Sequence, residues 1–80
     1  MREEPFRTHV ARRLGAGTAD SYLSYCRRVE RDLAVSLDTC DLSETGIAGL
    51  RDALARAGVN VKSATNLISA VRSYATFRHG

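Results

Sequence analysis

A chain of 80 residues that is 44% hydrophobic and 26% charged has material for one core over residues 1–80 and none for a second domain. So small a core buries only about 60% of the surface its unfolded chain exposes, which argues against a deep cavity for a small-molecule substrate and leaves a face or shallow groove as the working surface. The net charge of +3 is a mild basic bias, too weak for a dedicated nucleic-acid tail.

The single proline, Pro5, follows Glu3 and Glu4, and proline in a first turn with acids at the positive end of the dipole predicts a helix start. Phe6, Val10 and Leu14 then recur every four residues until Gly15, so the first helix is expected from Pro5 to Leu14 with those three side chains inward. Thr18 is the expected cap of a second helix, whose inward stripe reads Tyr22, Cys26, Val29 and Leu33, with Tyr25 at its edge. Ser24, Arg27, Arg28 and Arg31 fall on the opposite side, which makes that outer face basic.

Between Ala34 and Leu42 the periodicity lapses, and Asp38, Thr39 and Asp41 supply turn chemistry around Leu37 and Leu42, two expected anchors to the core. Ser43 is placed to cap a third helix, with Leu42 and Ile47 as a hydrophobic staple. Its stripe is Ile47, Leu50, Ala53, Leu54 and Ala57, it ends at Gly58, and its internal Gly46 and Gly49 either permit a close approach or loosen the first turn. Asn60 is the expected cap of a fourth helix with Ala64, Leu67, Ile68, Val71, Tyr74 and Ala75 inward. The opposite face carries Lys62, Asn66, Ser69 and Ser73, while Phe77 lies off the stripe, either folded back over the helix end or exposed as a contact residue. The sum is an all-α, single-domain bundle of four helices, with an ordered core from about residue 5 to about residue 78.

Catalytic and metal-binding patterns are missing. Cys26 and Cys40 lie fourteen residues apart with no C-x-x-C and no nearby histidine, so reduced thiols are expected, Cys26 acting as a small core hydrophobe. His9 flanks an apolar stripe and His79 is next to the last residue, and no H-E-x-x-H, G-x-S-x-G or phosphate-binding glycine loop is present. Gly15-Ala16-Gly17 joins two helices without a preceding strand. No enzymatic activity and no cofactor are expected. There is no charged-then-apolar leader and no apolar run of bilayer length, which predicts a cytoplasmic protein with no membrane attachment.

The remaining signal is charge of one kind. Eleven arginines stand beside the single Lys62, and guanidinium forks suit phosphates and carboxylates, although a high-GC coding bias gives the same preference. After Asp52 no acid follows, while Arg56, Lys62, Arg72 and Arg78 do. If the basic face of the second helix lies on the same side, the surface can track phosphates; if not, these are ordinary solvated charges.

The run Thr18-Ala19-Asp20-Ser21-Tyr22-Leu23-Ser24-Tyr25, a weakly helical linker, a third helix and the closing Ser63-Ala64-Thr65-Asn66-Leu67-Ile68-Ser69-Ala70-Val71-Arg72-Ser73-Tyr74 together resemble the SAM-like core-binding domain of tyrosine recombinases and phage integrases. That family's helical module clamps DNA beside a separate catalytic domain, whose arginine pair, histidines and tyrosine nucleophile this chain does not contain. The resemblance implies that Lys62, Asn66, Ser69, Arg72 and Ser73 line a DNA-facing helix, with Arg27, Arg28 and Arg31 as auxiliary phosphate contacts. The expected partner is therefore the DNA backbone. The alternative is an acidic surface of a protein complex, engaged by a small regulatory subunit or by a phage-encoded inhibitor of a host defence system, anti-CRISPR-like in type.

Overall fold

The computed structural model describes residues 1–79, and within them the chain forms four α-helices: α1 (Glu3–Leu14), α2 (Ala16–Leu33), α3 (Glu44–Arg56) and α4 (Val61–His79). Each begins and ends for a local reason. Glu3 and Glu4 occupy the first turn of α1 and Arg12 and Arg13 its last, each sign against the matching end of the dipole. Gly15 stops α1 at φ +96°, its N–H bonded to the Ala11 carbonyl at 3.0 Å, while its own carbonyl accepts from Ala19 at 3.0 Å. One residue thus closes α1 and opens α2, because only glycine adopts that backbone at little cost. Thr18 lies inside the first turn of α2 and does not cap it, since the glycine corner starts the helix earlier than a side-chain cap would.

Ser43 caps α3, accepting from the Gly46 N–H at 3.3 Å, and Asn60 Oδ1 accepts from the Ser63 N–H at 2.8 Å at the start of α4. In the linker, Leu37 and Leu42 are both buried, and the Leu37 N–H donates to the Glu30 carboxylate at 2.9 Å. Gly46 permits a close approach: a Cβ there would lie 2.0 Å from the Asp41 carbonyl oxygen, whereas one at Gly49 would meet nothing.

α1 and α2 form an antiparallel hairpin laced by Arg27–Glu3 and Arg7–Asp20 ion pairs. α4 packs against the other three helices, and α3 packs mainly against α4. The buried stripe of α2 is Ala19, Leu23, Cys26 and Val29, rotated from the expected one: Tyr22 and Leu33 are only half-buried. Because α2 is pressed between α1 and α4, its inward arc is centred between the two, and Tyr22 sits on the flank where its hydroxyl reaches water. Leu14 is 54% exposed, because the chain turns away at Gly15 before that last turn meets the core. Ala57 is exposed beyond the end of α3, Ala53 and Ala75 are half-buried, and Ala70 joins the inward face of α4.

An aromatic cluster closes one end. Phe6 and Tyr74 meet edge-on at 4.9 Å, and Phe77 folds back to lie 5.7 Å from Phe6 and 5.4 Å from Tyr74, with the Arg2 guanidinium 4.8 Å over its ring. Among the described residues no group of histidine, cysteine and carboxylate side chains is arranged to hold a metal, and no helix is long and apolar enough to cross a membrane.

Candidate functional site

The charged side chains divide into those already engaged and those left open. On α2, the Arg27 guanidinium grips Glu3, with Nε at 3.0 Å, while Arg28 and Arg31 share Asp32, through Nε at 3.3 and 3.2 Å. Hydrogen bonding from Arg27 holds the Glu3 carboxyl below its ordinary range, and Arg31, with Arg28, does the same to Asp32. Three cations against two carboxylates leave a single unbalanced charge, so the outer face of α2 is far less basic than its sequence. On α4, Arg72 pairs with Glu44 of α3. Arg78 donates to the Leu37 and Cys40 carbonyls at 2.9 and 2.7 Å, which makes it a clamp on the linker.

Among the described residues Arg12, Arg13, Arg51, Arg56 and Lys62 form no ion pair. Arg12 and Arg13 stand together at the end of α1, immediately before the α2 N-terminus. That terminus has no side-chain cap and no acid in its first turn, and space is open at both Gly15 and Gly17. The first N–H groups of α2 lack intrahelical partners and can receive an anion, while Arg12 and Arg13 outweigh the negative end of the α1 dipole that meets them at the same corner.

Beside this corner lies a cleft of about 200 Å³ where α1, α2 and α4 meet. Val10, Leu14 and Tyr22 form one wall, Ser69, Arg72, Ser73 and Thr76 the other, and Arg13 reaches in from the end of α1. Its hydroxyls are not equivalent. Ser69 Oγ donates to the Thr65 carbonyl at 3.0 Å and Thr76 Oγ1 to that of Arg72 at 3.2 Å, so both can only accept from a ligand. The Tyr22 and Ser73 hydroxyls make no hydrogen bond among the described residues and retain their protons to donate. On the other side of Arg13 a shallower depression is lined by Thr8, His9, Arg12 and Phe77; the His9 ring lies tilted against Phe77 with centroids 5.5 Å apart, and its buried Nε2 has no partner among the described residues.

The structure therefore brings together Ser69, Arg72 and Ser73 of the expected α4 face. Lys62 and Asn66 are exposed one to two turns nearer the start of that helix, outside the cleft. Arg27, anchored to Glu3, stands at the opposite end of α1 from Arg13, about 15 Å along the helix axis, and Arg28 and Arg31 lie farther along α2. The α2 arginines, which the sequence left open to lie on the same side and the family resemblance joined to the α4 face as auxiliary contacts, do not line this cleft. Arg12 and Arg13 escaped that reading, because a tandem of bases in a last helical turn is also what dipole compensation alone would place there.

No protein-family model, no curated protein and no solved structure matches the chain.

Proposed function

We propose that this protein is a non-enzymatic binding module that holds the phosphate backbone of DNA at the basic corner formed by Arg12, Arg13 and the start of α2, with Ser69, Arg72 and Ser73 alongside. The observation that carries this reading is the coincidence of two unpaired arginines, an uncapped helix N-terminus and a hydroxyl-lined cleft. Unpaired guanidinium groups release counterions on meeting phosphates, and backbone N–H groups at a helix start accept an anion without further change. A corner of this kind offers positioning contacts and few base-reading ones, so weak sequence preference is expected. The likeness of the Thr18–Tyr25 and Ser63–Tyr74 segments to recombinase core-binding domains is a second reason to look to DNA.

The test is duplex binding as a function of salt. The native protein should bind a random duplex at low ionic strength, with log affinity falling linearly against log salt. Substituting Arg12 and Arg13 by alanine should weaken binding uniformly across sequences and flatten the slope by roughly one unit per lost contact. Substituting Arg27, Arg28 and Arg31 should have the smaller effect. The reverse ranking would return the interface to the outer face of α2. Absence of duplex binding at low salt would refute the DNA reading and leave an acidic protein surface as the partner to seek.

A further inference from the structure

We infer that the cleft between α1, α2 and α4 is a subsite for a single phosphoryl group, gripped by Arg13 and Arg72 and by the hydroxyls of Tyr22 and Ser73. This deepens the reading of the same corner as a phosphate-binding surface and rests on it for the biological carrier of the group. Its chemistry follows from the walls of the cleft alone.

The volume, about 200 Å³, is that of a few water molecules, each taking about 30 Å³ in the liquid. A tetrahedral anion with part of its hydration fits. Val10 and Leu14 offer no hydrogen bond, so a polar occupant must be held by the rest of the lining. That lining supplies donors of the right kind: the guanidinium groups of Arg13 and Arg72 and the hydroxyl protons of Tyr22 and Ser73, which have no protein acceptor among the described residues. The oxygens of Ser69 and Thr76, whose protons are spent on backbone carbonyls, can accept from a water or from a protonated phosphate oxygen. A carboxylate presents two coplanar oxygens to these donors, whereas a phosphoryl group presents at least three, directed tetrahedrally, and more negative charge for two guanidinium groups.

Arg72 enters the site with a partner, since its Nη1 is bonded to Glu44, whose side chain is 80% exposed. An ion pair this open contributes little, so a phosphoryl group can displace Glu44 or use the remaining N–H groups of the same guanidinium. Glu44 thereby acts as an exposed stand-in for the anion on the Arg72 guanidinium.

Titration of the intact chain with inorganic phosphate at constant ionic strength, followed residue by residue by NMR, tests the inference. Saturable shifts are expected at Arg13, Tyr22, Ser69 and Ser73, with none that saturate at Arg27, Arg28 or Arg31. Arg13→Ala should weaken the phosphate affinity roughly tenfold or more, Arg13→Lys should recover part of it, and Ser73→Ala should weaken it less. Circular dichroism of each variant confirms that the bundle is retained, as exposure of Arg13 predicts. Shifts that rise linearly at every arginine would overturn the subsite. A 5′-phosphorylated duplex and the same duplex with hydroxyl ends separate the carriers: preferential displacement of phosphate by the first marks a terminal group, and equal displacement by both marks the backbone. Saturable phosphate binding without duplex binding would keep the subsite and refute the DNA reading, and duplex binding without saturable phosphate binding would do the opposite.

Discussion

The hydroxyl of Tyr74 donates to Oδ1 of Asp38, thirty-six residues earlier, and accepts from the Arg2 backbone N–H at 3.0 Å. One phenol near the end of α4 thus ties down both the start of the chain and the linker between α2 and α3. Its ring is fully buried against Phe6, so the polar tip and the apolar body serve the same junction. The chain's amino group, 3.1 Å from Asp38 Oδ2, completes the arrangement.

Stability should therefore fall on the acid side through Asp38. The Tyr74 hydrogen bond, aided by the nearby amino group, holds the Asp38 carboxyl below its ordinary range. A group with a lower folded than unfolded pKa contributes fully above the unfolded value, and that contribution is lost as pH falls below roughly 4. Thermal melting of Asp38→Asn should show a flatter acid limb than the native protein, and Tyr74→Phe should cost about 1–3 kcal/mol near neutrality. Parallel acid limbs for the native protein and Asp38→Asn would show that the bond contributes nothing to folding.

The two internal glycines of α3 should respond in opposite directions to alanine. At Gly49 a methyl group meets open space, so Gly49→Ala should stabilise by roughly 0.5–1 kcal/mol through helix propensity. At Gly46 the same methyl would collide with the Asp41 backbone at 2.0 Å, so Gly46→Ala should destabilise despite the better helix former. Denaturant midpoints measured on both variants decide it; equal shifts would mean that the linker does not lie against α3.

Among leucines of similar size, Leu23→Ala should cost about 2–5 kcal/mol and Leu14→Ala little, because Leu23 is 5% exposed and Leu14 54%. Val29→Ala and Val71→Ala, both at fully buried positions, should each cost roughly 1–3 kcal/mol, whereas exposed Ser24→Ala should be near neutral. A loss at Leu14 comparable to that at Leu23 would restore the first helix stripe as its sequence suggested.

The cysteines should differ in reactivity without forming a bridge. Burial pushes the Cys26 thiol up to about 12, so the native fold should protect it from alkylation, and half-buried Cys40 should be labelled first. Mass spectrometry of briefly alkylated native protein reads the order directly. Faster labelling of Cys26 would require that α2 leaves the core readily. Melting should be the same with and without reductant.

How much was legible depended on how far along the chain each cause lies. Ser43 and Asn60 cap their helices as read, because a cap acts within three residues of itself. Leu37 and Leu42 are buried as read, since isolated large apolar side chains amid turn residues have no other place to go. Cys26 and Val29 lie inward as read, but Leu23 was missed and Tyr22 and Leu33 were placed too deep. A helix held between two neighbours buries an arc that its own periodicity cannot centre. Phe77 could be read two ways, and only the Phe6 and Tyr74 rings decide for the inward one.

The same division holds for the candidate site. From residue order alone come an abundance of arginine and, as products of local hydrogen bonding and side-chain periodicity, the four helices and the caps at Ser43 and Asn60. Tertiary structure alone decides which of those arginines are available. Glu3 reaches Arg27 across twenty-four residues and leaves Arg12 and Arg13 without a partner among the described residues, and that meeting leaves no trace in local pattern. Electrostatic neutralisation depends on distance in space and not on separation in sequence, so the basic face moved from α2 to the corner at Arg12 and Arg13 only when the chain had folded.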